Sequence, residues 1–312
     1  MRKGTKTARV VSIAEVERYH HSTHEKHLIF SSDRPIEATE DYRNAETGKL
    51  MPTFGTEWET QNWGIKDQTI YANLLRDVVF KDFHYDLWRI EDDGSLRNGS
   101  DSWAECITQA MTKAYIRNHY RDFKAMWERA KRFGIDCEKT LECGQHIHIS
   151  CACFGRDEKT ITESVRKFLY IINRHYDLML PLLHRDERRK CYCGKMARYT
   201  TKEACKNADL NRFYDDHNVC VNMGHYPNNV ELRLVGGQKD YPCFRNTWEC
   251  VFWLVDVSKS ISWKDCDDVV KVFSGCNSYV FNRLCTYVKA KGQITESQLE
   301  AIKPTVEHVS FL

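Results

Sequence analysis

The spacing of apolar and polar residues changes several times along the chain, and the changes mark its elements. Two short apolar runs, 9–14 and 27–30, predict strands in an otherwise polar first fifty residues, and 33–49 reads as a charged loop. Beyond Met51 a short strand is expected over 56–61, followed by a helix over 65–80 with apolar residues at helical spacing. Residues 85–90 predict a strand ending in Glu91-Asp92-Asp93-Gly94, where Asp-Gly favours a tight hairpin, with 103–108 as the returning strand. A long helix over 111–133 is stopped by Gly134. Residues 144–153 alternate as a strand, and 159–184 form a second long helix with an apolar stripe of Val165, Phe168, Leu169, Ile172, Leu178 and Leu180. Residues 185–217, rich in charge, Tyr and Cys, read as a long functional loop. Strands at 218–223 and 230–235, joined by Gly-His-Tyr-Pro-Asn-Asn, describe a hairpin. An apolar helix follows at 244–260, and two or three more occupy 263–312, one of them opening at Thr295 with Gln298 completing a capping box. Strands and helices do not alternate strictly, and the surest strand pair is a hairpin. The expected fold is therefore α+β with a mainly antiparallel sheet.

Composition narrows the class. The 312 residues suit one large domain or two small ones, and 42% hydrophobic with 12% aromatic content supports a buried core and argues against disorder. Basic and acidic residues nearly cancel, 46 against 44, which gives no general attraction to nucleic acid or membranes. No apolar run reaches membrane-spanning length, and the opening MRKGTKTARVVSIAE lacks the apolar stretch of a signal peptide. A cytoplasmic location is the expectation.

Fourteen cysteines in a chain without a secretion signal argue for reduced, partly buried thiols rather than a disulfide framework. Cys151/Cys153 and Cys191/Cys193 are each separated by one residue, which in a strand points both to one face; the spacing also admits a structural zinc site. His20, His24 and His27 would share a helix face, either as a solvated surface or as metal ligands.

The chemistry lies in three strand-like segments that each carry two polar residues at positions i and i+2, on one face. Phe54-Gly55-Thr56-Glu57-Trp58-Glu59 aims Glu57 and Glu59 to one side. Gly144-Gln145-His146-Ile147-His148-Ile149 aims His146 and His148 to one side, with the isoleucines opposite. Val230-Glu231-Leu232-Arg233-Leu234 aims Glu231 and Arg233 one way and three aliphatics the other. Alone, each pair describes a solvated face or a surface ion pair. Together, on neighbouring strands, they would crowd like-charged carboxylates that repel unless cations lie between them. Carboxylates with an imidazole suit Mg²⁺ or Mn²⁺, and an arginine on the same face complements phosphate.

FGTEWE, EDDGSL with the Glu105 strand, GQHIHIS and VNMGHYPNNVELRL occur in an order that resembles the amidoligases. These belong to the carboxylate–amine ligase superfamily, together with glutamine synthetase and glutamate–cysteine ligase. The resemblance covers 51–260, a catalytic core between an N-terminal extension (1–50) and a C-terminal helical segment (261–312) packed on that core. It implies a glutamine-synthetase-like curved sheet with helices on one face, ATP and Mg²⁺ (or Mn²⁺) as cofactors, and amide formation through an acyl phosphate. By resemblance Glu57, Glu59, Glu105, His146 and Glu231 are metal ligands, with His146 and Glu231 on the phosphate side. His148 lies near the nucleotide, and Arg233 contacts phosphate and serves catalysis with Glu105 and Asp93. Arg188 and Arg189 resemble a family segment that contacts ATP phosphates or the acidic substrate. Asn222 and Arg198 are candidates for the substrate, and Asp92 or Asp93 for accepting the amine's proton. The strand after Glu105 departs from the family in lacking a small-residue and Pro ending. The resemblance implies small-molecule or peptide carboxylate and amine substrates, with no membrane or nucleic-acid partner, leaves homo-oligomers open, and suits phages and mobile elements. Two other classes fit the same residues: a zinc hydrolase using His146 and His148, and a non-catalytic scaffold or nucleic-acid binder.

Overall fold

A computed structural model describes residues 28–31, 34–37, 47–83, 87–91, 102–135, 137, 143–185, 193–212, 218–238 and 240–304. The expected strand at 9–14, the histidines between 20 and 27, Asp92, Asp93 and the basic segment 188–190 lie outside these residues.

Among the described residues nine strands form one sheet: β1 (Leu28–Ser31), β2 (Arg34–Glu37), β3 (Thr53–Asn62), β4 (Trp88–Glu91), β5 (Ser102–Thr108), β6 (Met111–Thr112), β7 (Gly144–Ser150), β8 (Val221–Asn222) and β9 (Asn229–Gly236). The pairings are antiparallel except β1 with β6. Helices and an antiparallel sheet together make the α+β class expected from the sequence. β3 is the centre. One edge carries β7, and the other carries β5 along its later residues and β6 at its start.

One face of this sheet is the core. Phe54, Trp58, Ala104, Cys106, Ile147, Ile149, Val230 and Leu232 are buried on it, as period two requires. Two helices cover that face: α3 (Tyr120–Arg132) and the long α7 (Tyr241–Ser260). Trp58 meets Trp127 of α3 at 4.6 Å between ring centroids, and Phe54 meets Phe252 of α7 at 5.0 Å. The two helices meet through Phe123 and Phe244, 4.9 Å apart. Burial of these aromatic and aliphatic side chains is the main favourable term for the fold.

Several expectations needed correction. The helix over 65–80 is α1 (Gln68–Leu74) running into a π-turn at Leu75–Val79. The helix over 111–133 starts two residues later and is broken: β6 takes Met111 and Thr112, α2 spans Lys113–Asn118, and His119 leaves the helical region before α3. The Tyr115 carbonyl there accepts from both the backbone and Nδ1 of His119, at 3.1 and 2.9 Å. The helix over 159–184 breaks likewise at His175 into α4 (Glu158–Arg174) and α5 (Tyr176–Leu182). The amphipathic stripe runs through both breaks, so its period alone does not reveal them. The charged loop at 33–49 contains β2. The loop at 185–217 contains α6 (Lys202–Lys206) and two 3₁₀ turns. Cys151 and Cys153 lie in a 3₁₀ turn rather than in a strand, and both thiols are buried, as are most of the free cysteines among the described residues. β4 and β5 do pair, in a register that sets Glu91 opposite Glu105, and the Asp93-Gly94 turn expected between them lies outside the described residues.

Residues beyond α7 fold as α8 (Val269–Phe273), α9 (Ser278–Arg283) with its π-turn Leu284–Val288, and α10 (Glu296–Ile302). Thr295 and Gln298 make the expected capping box. Phe273, Val280, Leu284 and Ile302 are buried in the same core as the sheet. No helix among the described residues is long and apolar enough to cross a membrane.

Candidate functional site

The sheet face away from α3 and α7 gathers the predicted polar pairs. Register does this work. β3 and β7 place Glu57 opposite His146, β3 and β5 place Glu59 opposite Glu105, and β7 and β9 place His148 opposite Glu231. β8 adds Asn222 opposite Glu231. The β7–β9 ladder slips by one residue past Leu232, so that His146 faces the Arg233–Leu234 bulge. Arg233 is thereby turned toward His146, with its Nη1 3.4 Å from His146 Nδ1.

Glu57 is the hub. Its Oε1 lies 2.8 Å from His148 Nε2, and its Oε2 lies 3.0 Å from His146 Nδ1. His146 also approaches Glu231 Oε1 at 3.4 Å through Nδ1 and Glu59 Oε1 at 3.7 Å through Nε2. Glu231 receives Arg233 Nη1 on one oxygen and Asn222 Nδ2, at 2.9 Å, on the other. Glu59 accepts the backbone N–H of Gly144.

Among the described residues two triads of ligand atoms have all members within 4.8 Å of one another: Glu57, Glu105 and His146, and Glu57, His148 and Glu231. Glu57 belongs to both. The resemblance grouped His146 with Glu231 and set His148 beside the nucleotide; His146 Nδ1 lies 3.4 Å from Glu231 Oε1, and His148 also joins Glu231 in the second triad. Glu59 stands beside the first triad, 3.7 Å from His146 and opposite Glu105, and belongs to neither triad. The donor set, carboxylate oxygens with one imidazole each, fits a hard or borderline divalent cation.

The carboxylates and imidazoles of the cluster shift one another. Burial works against ionisation of Glu57, yet the His148 and His146 imidazoles hold its carboxyl well below the usual range. Burial likewise opposes the charge on Glu231, and the same two imidazoles and Arg233 lower it. His148 moves the other way. Burial would depress it, but the Glu57 charge and hydrogen bond, then Glu231 and Asn229, push it up to about 9.

Asn222 proves part of the cluster through Glu231, and its Oδ1 accepts from Gly224 N–H at 3.0 Å. Arg198 is exposed on the turn Ala197–Tyr199, and no contact among the described residues joins it to the cluster. Four participants carried no assignment from the sequence. Asn229 Oδ1 lies 3.4 Å from His148 Nδ1. Glu91 is buried opposite Glu105 and pairs with Arg89 at 2.8 Å, extending the polar face onto β4. Gly144 and Arg185 meet at the Glu59 end. The strand pattern of Arg89 and Glu91, two residues apart like the other three pairs, was a readable signal; nothing local marks Arg185.

No protein-family model matches the chain, and no curated protein matches it. Among solved structures, one described as the GmaS/ADP complex in conformation 1 is similar over 80% of this chain and 72% of that one, with 15% identity and a TM-score of 0.44.

Proposed function

We propose that the chain is an ATP-dependent carboxylate–amine ligase of the glutamine-synthetase-like kind, with Mg²⁺ or Mn²⁺ held at the two triads. The observation that carries the metal half is the sharing of Glu57 between two groups of three ligand atoms. The ligase half is supported by the order of the sequence motifs that supply those residues.

Glu57, Glu105 and His146 would hold one ion and Glu57, His148 and Glu231 the other, with Glu59 beside them. Bound there, the metal supplies neutralisation of phosphate charge. Transfer of the γ-phosphoryl group of ATP to a carboxylate brings two anions together, so positive charge around the oxygens dominates the barrier. Arg233 lies at the Glu231–His146 junction, where its planar fork suits a phosphoryl oxygen. Asn222 orients Glu231, and Asn229 orients His148. The resulting acyl phosphate then yields an amide when an unprotonated amine attacks the acyl carbon and phosphate departs. Asp92 or Asp93, following β4, is the proposed proton acceptor. In this reading the core at 51–260 carries the site.

The zinc-hydrolase reading needs His146 and His148 on one ion. Neither triad contains both histidines. The test is ADP release from MgATP across a panel of carboxylate–amine pairs, comparing the natural chain with Glu231→Gln. Substrate-dependent ADP release that is lost in the variant upholds the reading. Tightly held zinc in the purified protein, with amide or ester hydrolysis independent of ATP, overturns it.

A further inference from the structure

We propose that Arg185 is the receiver of a substrate oxyanion, a carboxylate or a phosphoryl group, at the Glu59 end of the site. The assignment rests on the ligase reading for the identity of the substrate. The place of the guanidinium at that end rests on geometry alone.

Arg185 is 7% exposed. Its Nη1 donates to the Val235 carbonyl at 3.1 Å, and its Nε has no hydrogen-bond partner among the described residues. A guanidinium stays charged at any accessible pH. Buried donors on such a group are ordinarily satisfied, so an unused one calls for an explanation.

The surrounding chain is shaped to keep it there. His184 takes a left-handed conformation, φ 60°, which turns the chain sharply off α5. Arg185 N–H returns to the Leu180 carbonyl at 2.8 Å, and Gly236 N–H caps Leu183 at 3.0 Å. Arg283 grips the same helix end, donating to Pro181 and Leu182 carbonyls while stacking 3.7 Å over Tyr287. Two positions are cleared of side chains. A Cβ at Gly236 would stand 2.0 Å from the His184 carbonyl oxygen. A Cβ at Gly144 would stand 2.9 Å from Arg185 Nη1 and 3.2 Å from Glu59 Oε2. The guanidinium therefore reaches the carboxylate row beside Glu59, while Arg233 lies with Glu231 and His146 at another part of it. A substrate with two anionic groups would meet one guanidinium with each.

The alternative is that Arg185 only offsets the charge of Glu59. Titrating the full chain separates the two, using Mn²⁺ alone, then a non-hydrolysable ATP analogue and glutarate as phosphoryl and carboxylate probes, each with and without Mn²⁺. Arg185→Gln should bind one probe at least ten-fold more weakly while its affinity for Mn²⁺ alone stays the same or tightens. The probe that loses affinity identifies the anion. Arg185→Lys keeps the charge and the stem but not the planar fork, and should lose part of that affinity; it also serves if the Gln variant does not fold. Probe affinities equal to those of the natural chain in both variants overturn the proposal. So does a natural chain that binds neither probe. If the natural chain binds no Mn²⁺, the metal reading fails, and the metal-free probe titrations still decide the role of Arg185.

Discussion

His148 reaches Glu57 diagonally: the residue directly opposite it on β3 is Gly55, and the 2.8 Å contact between His148 Nε2 and Glu57 Oε1 crosses that bare position. A Cβ on Gly55 would meet only ordinary neighbours, His148 Cβ at 3.8 Å and the Thr108 carbonyl at 3.9 Å. Gly55→Ala should therefore fold with stability within about 1 kcal/mol of the natural chain. Gly236→Ala offers the contrast, because its Cβ would collide with backbone at His184. That variant should lose on the order of 3 kcal/mol or more, or fail to fold. Urea unfolding of the two side by side checks both.

Removing the shared ligand should cost more than removing an unshared one. Glu57→Gln takes a carboxylate from both triads, whereas Glu105→Gln takes it from one. Mn²⁺ affinity should fall by at least about a hundred-fold at every site in the first variant, and at one site only in the second. Electron paramagnetic resonance titration counts the sites. Two unaffected sites in Glu57→Gln would exclude the shared-ligand arrangement.

Proton competition gives Mn²⁺ binding a pH signature. In the ion-free chain His148 holds its proton up to about pH 9, because Glu57 and Glu231 favour the charged ring over the opposing effect of burial. An imidazolium cannot ligate a cation, so binding expels the proton. Affinity at this triad should rise as pH rises from 6.5 to 8.5, by up to about ten-fold per unit, and level off above 9. Calorimetry in two buffers of different ionisation enthalpy reads the released proton. A flat profile would remove His148 from the ligand set.

Away from the site, Glu249 is buried on α7 and receives Arg117 at 2.7 Å, the Tyr120 hydroxyl at 2.8 Å and Asn277 at 3.0 Å. Glu249→Ala strands three donors at once. A loss of about 2–4 kcal/mol is expected, discounted because Arg117 is partly exposed. Thermal unfolding measures it, and Mn²⁺ affinity should stay unchanged.

His175 supplies a stability signature on the acid side. Burial holds its imidazole below the ordinary histidine value, against the favourable contact of Nε2 with the Cys266 carbonyl at 2.8 Å. The folded ring is therefore neutral where the unfolded ring takes a proton. Its contribution is complete above about pH 6.5 and is lost as pH falls from there toward the depressed folded value. His175→Asn should flatten that part of the stability profile between pH 5 and 7.

The Glu57/Glu59, His146/His148 and Glu231/Arg233 pairs were legible because a strand has period two, and one face of each is apolar. Glu105 was legible only through the order of motifs. What the local pattern could not supply was register. That His148 stands opposite Glu231 while His146 faces the Arg233–Leu234 bulge is a matter of register past Leu232, which no run of apolar residues announces. Arg185 was hidden for a different reason. Its role comes from a left-handed turn at His184 and from side chains missing at Gly144 and Gly236, residues brought to it only by tertiary packing. The breaks at His119 and His175 were hidden because an amphipathic stripe continues across them.

β3 is a strand bonded to three others at once, and that governs when a cation first has somewhere to go. The Asn222–Glu231 contact closes across nine residues, whereas Glu57 finds His146 only across 89. Local hairpins therefore close readily, and the docking of β3 against β7 carries the slow, long-range step. Until it occurs neither triad exists, so an ion held there would bind only the finished sheet and would pull the equilibrium toward it. Divalent cations added during refolding should leave the rate of sheet assembly unchanged and slow only its opening, with the β3 and β7 amides the last to exchange with solvent.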